Sequence, residues 1–227
     1  MPHIRRYAIY WLPEGALGAW GESWLGWNMA LGAPLPRTVV AGLPAPVEAL
    51  TQAATAYGLH ATIKPPFRLA PGTTEDGLRA ALAAFCVASA PVTAGRLALS
   101  DLGGFLALTP QGDTAALDAL AGRTVAALDA FRAPAPPDET ARRRAAGLTP
   151  TQEALLTRWG YPYVMEEFRF HVTLTGRLPP DQRGPVADIL RPILAPHLPH
   201  RLHVAALSLV GQTDDGFRTL AHHALAG

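Results

Sequence analysis

The sequence predicts an α+β protein of two pseudo-symmetric lobes, each an antiparallel sheet backed by helices, with a central groove between them. Three observations lead there. Short runs rich in branched and aromatic residues come in pairs around Gly-containing or Asp-containing turns. Ala-rich segments of helical periodicity separate them. The succession of elements in the second half partly repeats that of the first, which fits layered sheets and helices rather than an alternating parallel βαβ chain.

Taken in order, "IRRYAIYWL" (4–12) reads as a strand closed by Pro13. Trp20, Trp24 and Trp27 follow at helical spacing and are expected to fill the core. "PAPVEALTQAATAYG" opens on prolines and closes on Gly58, the grammar of a helix start and stop. A strand carrying His60 comes next, then a helix from Thr73 or Thr74, where Glu75 and Asp76 suit the positive end of the helix dipole. "RLALSDLGGFLALTP" predicts a hairpin and residues 112–131 an amphipathic helix. Residues 133–150, with four prolines and the run Arg142-Arg143-Arg144, read as a connector or flap inside a single bilobal domain over 1–227. A helix over 151–159, a strand carrying His171, a proline-flanked helix and a terminal hairpin around Thr213-Asp214-Asp215-Gly216 complete the chain.

Composition narrows the function. With 49% hydrophobic residues the chain can build a substantial core. Its 19 basic and 18 acidic side chains give a net charge of +1, so there is no broad positive field for long nucleic acid or an anionic membrane. Bound anions are expected to be held locally. The single cysteine, Cys86, rules out an intrachain disulfide and thiolate metal clusters. No apolar run suits a signal peptide or a membrane span, which gives the expectation of a cytoplasmic protein.

The chemistry lies in two similar stretches, "GLHATIKPPF" (58–67) and "RFHVTLTGRL" (169–178). Strand alternation would put His60, Thr62 and Lys64 on one face, and Arg169, His171, Thr173, Thr175 and Arg177 on one face of the other strand. A lone His-x-Thr is common and more often structural. A second copy, again after a helix and in otherwise dissimilar sequence, shifts the reading to a pair of polar faces meeting across a cleft. Two imidazoles can serve as base and acid near neutrality. Hydroxyls can donate to non-bridging oxygens, and a lysine adds positive charge where negative charge accumulates. That set suits a phosphodiester. None of the eight histidines stands in a His-Glu-x-x-His pattern, and His197, His200 and His203 have no acidic residue beside them, so no metal and no other cofactor is expected. A Gly-rich phosphate loop and a Gly-x-Ser-x-Gly elbow are also missing from the sequence.

"HATIKPPF" and "HVTLTGRL" resemble the twin His-x-Thr motifs of the 2H phosphoesterases, the superfamily of 2'-5' RNA ligase-like proteins and cyclic nucleotide phosphodiesterases. Further segments, among them "SWLGWN", "LGGFLALTP" and "LTPTQEALLTRWGYPYVMEEF", resemble a bacterial branch described as phosphonate-metabolism proteins. The resemblance implies a two-lobed fold with both motifs lining a central groove, activity on a small cyclic phosphate, and His60, Thr62, His171 and Thr173 as the catalytic set. The carbon-phosphorus lyase route associated with that branch yields a ribosyl cyclic phosphate bearing a 5-phosphate. For such an anion Lys64, Thr175, Arg132 and Arg143 are candidate ligands and Tyr163 a candidate wall. Two other readings stay open at this level: a protein that binds phosphates or RNA ends without turnover, and an RNA-end ligase. Oligomeric state is not legible.

Overall fold

A computed structural model describes residues 3–227. In chain order its elements are β1 (Arg6–Trp11), α1 (Gly15–Leu25), β2 (Trp27–Asn28), β3 (Ala33–Pro34), α2 (Val47–Thr55), β4 (Ala61–Phe67), α3 (Glu75–Val87), β5 (Val92–Ala94), β6 (Leu97–Asp101) and β7 (Leu106–Pro110). The second half has α4 (Ala115–Ala127), α5 (Pro137–Arg144), α6 (Pro150–Trp159), β8 (Val172–Thr173), α7 (Pro180–Leu194), β9 (Leu202–Val204), β10 (Ala206–Gln212) and β11 (Phe217–Ala224). This is the α+β class that the hairpin signals predict. Local chemistry sets several boundaries: the Thr74 hydroxyl accepts from the Gly77 amide to start α3. Thr149 and Gln152 cap α6 reciprocally, and Gly160 ends it in the left-handed region. The segment expected to be a connector contains a helix of its own, α5, whose prolines sit at its start.

Seven strands form one sheet in the order β11-β10-β1-β4-β8-β7-β6, and every pairing in it is antiparallel. The two halves of the sheet meet at β4 and β8, the strands of the two motifs. Each half borrows from the other half of the chain: the C-terminal hairpin β10–β11 lies beside β1, while the earlier hairpin β6–β7 lies beside β8. A two-stranded pairing of β5 with β9 links the segments leading into those hairpins.

The helices pack on one face, where a continuous apolar cluster runs from Ile9, Trp24 and Ile63 to Leu108, Val172, Leu190 and Leu209. Trp24 is fully buried and its indole Nε1 donates to the Leu174 carbonyl at 2.7 Å, fastening α1 to the segment after the second motif. Truncating such an indole in a core costs about 3–5 kcal/mol. The opposite face is partly open. At its β11 end Trp27, Met29, Ala8, Tyr10, Val210 and Phe217 form a smaller cluster.

β4 is irregular in a way that matters for the site. Tyr10 faces Thr62, but the next residue of β1, Ile9, faces Lys64, so Ile63 is an extra residue on β4. Further along, Pro65 and Pro66 have no N–H to give to a ladder, and β8 is paired with β4 at Ala61.

Candidate active site

The register of β4 and β8 brings the motifs together. Ala61 faces Val172, both fully buried on the helix side. Continued by one residue in each direction, that register sets His60 across from Thr173 and Thr62 across from His171. Each histidine therefore stands beside the other motif's threonine on the open face.

The same device orients both rings. His60 Nδ1 lies 2.9 Å from the Gly58 carbonyl and His171 Nδ1 lies 2.7 Å from the Arg169 carbonyl. A carbonyl oxygen only accepts, so Nδ1 carries the proton in each neutral ring and Nε2 is left for chemistry. His60 Nε2 accepts from the Thr62 hydroxyl at 3.1 Å. Gly58 makes its part possible: its φ is +66°, and a Cβ there would come within 2.4 Å of the Met29 side chain.

The surroundings of the two rings differ. His60 stacks on Tyr10, with centroids 3.8 Å apart and planes 17° apart, and Tyr57 lies 6.4 Å away in a near-parallel orientation. Tyr10 is 1% exposed. Burial pushes the His60 imidazole down to about 4; the Gly58 carbonyl opposes this and the charge of His171 adds to it. His60 is accordingly neutral at pH 7. His171 has a looser aromatic neighbour, Phe105, at 6.0 Å and tilted by 58°. Thr173 faces the small Ala107 on β7.

The other candidates are distributed differently from the strand-alternation expectation. Lys64 is turned off the His60–Thr62 face by the bulge at Ile63 and joins Ile9 on the helix side. It is 2% exposed, and its Nζ donates to the Val125 carbonyl in the last turn of α4 at 3.0 Å and lies 3.6 Å from Asp129. Burial pushes its ammonium down to about 8, against the pull of Asp129. Thr175 is 1% exposed, accepts from the Leu106 amide and donates to the Gly176 carbonyl, so its hydroxyl is taken up by backbone. Arg132 grips Asp129 through Nε at 2.7 Å and reaches the Arg158 carbonyl. Arg143 pairs with Glu139 at 2.7 Å, donates to the Gly160 carbonyl and covers the ring of Tyr161 at 5.0 Å. Tyr163, 45% exposed, meets Tyr161 edge-on at 5.8 Å.

Beside Thr173 is a cavity of about 210 Å³ lined by Ala53, Ala54, Phe105, Thr175, Gly176 and Arg177. Arg177 has no ion-pair partner among the described residues. Sequence reasoning missed Tyr10, Tyr57 and Phe105. Tyr57 and Phe105 lie close in sequence to a motif or its neighbouring strand, but Tyr10 becomes a neighbour of His60 only through the β1–β4 pairing. Among the described residues no group of three or more His, Cys, Asp and Glu could hold a metal ion, and no helix is long and apolar enough to cross a membrane.

An antiparallel α+β sheet with paired His-x-Thr motifs at its centre defines the class to which these features belong. Residues 62–218 match the family model described as "Protein of unknown function (DUF1045)", and the chain belongs to that family. Over 178 residues, 77% of the chain, it is 42% identical to a protein of Janthinobacterium sp. (strain Marseille) named ribose 1,5-bisphosphate phosphokinase PhnN. A protein of the same name from Laribacter hongkongensis (strain HLHK9) is 39% identical over 182 residues, 76% of the chain. The chain spans about two fifths of the length of these curated relatives, 39% and 40%. Among solved structures, one described as a phosphoesterase aligns with 99% of the chain and 100% of its own at a TM-score of 0.49 and 14% identity. A protein of Thermus thermophilus aligns over 98% of both chains at a TM-score of 0.46 and 18% identity.

Proposed function

We propose that this protein is a 2H-type phosphodiesterase that opens a small cyclic phosphate on a phosphorylated ribose, using His60 as general base and His171 as general acid without a metal ion. The observation that carries the reading is the pairing of Ala61 with Val172, which brings the two motifs side by side, each with its imidazole held at Nδ1 by a backbone carbonyl.

The roles follow from the surroundings. His60, held neutral, accepts the proton of the attacking water at Nε2 as the water oxygen bonds to phosphorus. The ester P–O bond opposite the water breaks, and its oxygen takes a proton from protonated His171 Nε2. One ester bond is lost and one P–O bond gained; His60 ends protonated and His171 neutral, and exchange with solvent restores both. Thr62 and Thr173 donate to the non-bridging oxygens, whose charge they stabilise in place. For Thr62 this requires the hydroxyl to leave Nε2 when substrate enters. Arg177, beside Thr173, is the cation nearest this cradle among the residues lining the cavity. Of the earlier candidates, Tyr163 remains a proposed wall residue, whereas Lys64, Thr175, Arg132 and Arg143 have structural partners and are assigned to holding the fold.

Ribose is proposed as the scaffold because the curated relatives are named for a ribose bisphosphate. The kinase activity in that name is assigned to the part of those relatives outside the match, since this chain has no Gly-rich phosphate loop. A place in phosphonate metabolism is proposed on the same relatives. The test is phosphorus NMR of ribose 1,2-cyclic phosphate 5-phosphate and 2',3'-cyclic nucleotides incubated with the protein and a chelator. Ring opening lost in both His60→Ala and His171→Ala is the expected result. A folded protein that opens no ring, or opens one only after zinc is restored, contradicts it.

A further inference from the structure

The ring beneath His60 has no assigned purpose in the chemistry above. Tyr10 lies on β1, fully inside the sheet, and its neighbours in the register are Thr62 on β4 and Ser208 on β10. Its ring stacks on the His60 imidazole at 3.8 Å and meets the tilted ring of Phe217 at 5.6 Å. Tyr57 stacks on Phe217 at 5.2 Å and completes an aromatic wall around the histidine. Tyr10 is 1% exposed, so nearly all of its ring is shielded from solvent. Its proton is held firmly: burial raises its titration well above the ordinary phenol, with Tyr57 and Tyr161 adding to the effect and Arg6 opposing it.

A near-parallel stack at van der Waals distance does two things. It fixes the plane of the imidazole, so that Nε2 keeps one direction while Nδ1 holds the Gly58 carbonyl. It also excludes water from one face of the ring, which disfavours the charged form. Among the described residues the second motif has no such platform: Thr173 faces Ala107, and His171 meets the tilted Phe105 at 6.0 Å.

We propose that Tyr10 is a positioning residue for the reaction, an aromatic platform that dries and aligns His60 so that this histidine, and not His171, is the resident base. The proposal rests on the two-histidine reading above, but it concerns a property of His60 that can be measured without substrate. The groups that face His60 from its surroundings are Tyr10 on β1, Tyr57 after α2, Thr62 on β4 and His171 beside β8.

The experiment is a histidine NMR titration of the full chain, with His60 assigned by its loss in His60→Ala, in the parent, Tyr10→Phe and Tyr10→Leu. In the parent, His60 is expected to titrate near 4, and Tyr10→Phe is expected to keep that midpoint because the ring remains. Tyr10→Leu is expected to move it by about one pH unit or more toward the ordinary value of about 6.5. In the ring-opening assay the same variant should lose about tenfold or more in kcat with KM within about twofold, and Tyr10→Phe should restore the parent rate. A parent midpoint near the ordinary value overturns the proposal even if Tyr10→Leu does not fold. So does a folded Tyr10→Leu with an unmoved midpoint, or a Tyr10→Phe as impaired as Tyr10→Leu. Absence of turnover with the midpoints as stated would count against the proposed reaction and leave the platform standing.

Discussion

The two His-x-Thr strands share a register and a backbone device but not an environment. β4 runs for seven residues inside the sheet, paired along β1, and its histidine lies against a buried tyrosine. β8 is two residues long, and its histidine has a tilted phenylalanine at 6.0 Å. The motifs supply two imidazoles held alike at Nδ1, but the packing around them differs: burial pushes His60 down to about 4, whereas His171 lies against a looser, tilted ring. The difference lies in the neighbours, Tyr10 against Ala107, rather than in the motifs.

The most forceful way to break the comparison is to remove each imidazole. His60→Ala and His171→Ala are each expected to lower kcat by about 10²–10⁴-fold, the usual contribution of a positioned acid or base, as read by phosphorus NMR. If one variant keeps the parent rate, the paired reading fails. The hydroxyls come next. Thr62→Val and Thr173→Val should each cost about tenfold or more in kcat, because in the proposed reaction each hydroxyl donates to a non-bridging oxygen. A variant that keeps the parent rate would remove its hydroxyl from the cradle.

Acidity sharpens the contrast. Since His60 must be neutral to accept a proton, kcat/KM should fall on the acid side with a midpoint near 4, well below an ordinary histidine. Folding has the same sign. The His60 titration lies lower in the folded than in the unfolded chain, so between about 6.5 and 4 the unfolded state binds more protons. Stability is therefore expected to drop as pH falls through that window, and denaturant midpoints in His60→Ala should drop less. The smallest effect on activity is expected at Lys64. Lys64→Met should change kcat/KM less than about threefold while costing about 1–3 kcal/mol of stability, through the lost bond to the Val125 carbonyl. A large rise in KM would put Lys64 back among the phosphate ligands.

Much of this arrangement is legible in local sequence. The caps at Thr74 and Thr149, the Gly-containing hairpin turn before Phe105 and the strand around each motif all rest on signals within a few residues of the element they set. The features that sequence does not carry are non-local. Strand alternation places Lys64 on the face of His60, and the alternation fails at Ile63 only because β1 pairs out of step there. The exchange of hairpins, β10–β11 with the first half and β6–β7 with the second, cannot be read from the order of elements. Tyr10 looks like any inward residue of "RRYAIYWL" until its strand is placed beside β4. The arginine run illustrates the same limit. Arg142, Arg143 and Arg144 are paired with Asp138, Glu139 and Glu153, partners that lie four to nine residues away and that a charge count does not assign.

The central claim is that the two histidines have different, fixed roles, and leaving-group dependence tests it most directly. The rate of phosphodiester hydrolysis would be measured for the parent, His60→Ala and His171→Ala across a series of esters whose leaving alcohols run from weakly to strongly acidic. A missing general acid matters less as the leaving group needs its proton less. The account predicts that His171→Ala approaches the parent rate on the most acidic leaving group, while His60→Ala stays impaired across the whole series. Recovery of His60→Ala instead, or an equal response in both variants, would contradict it.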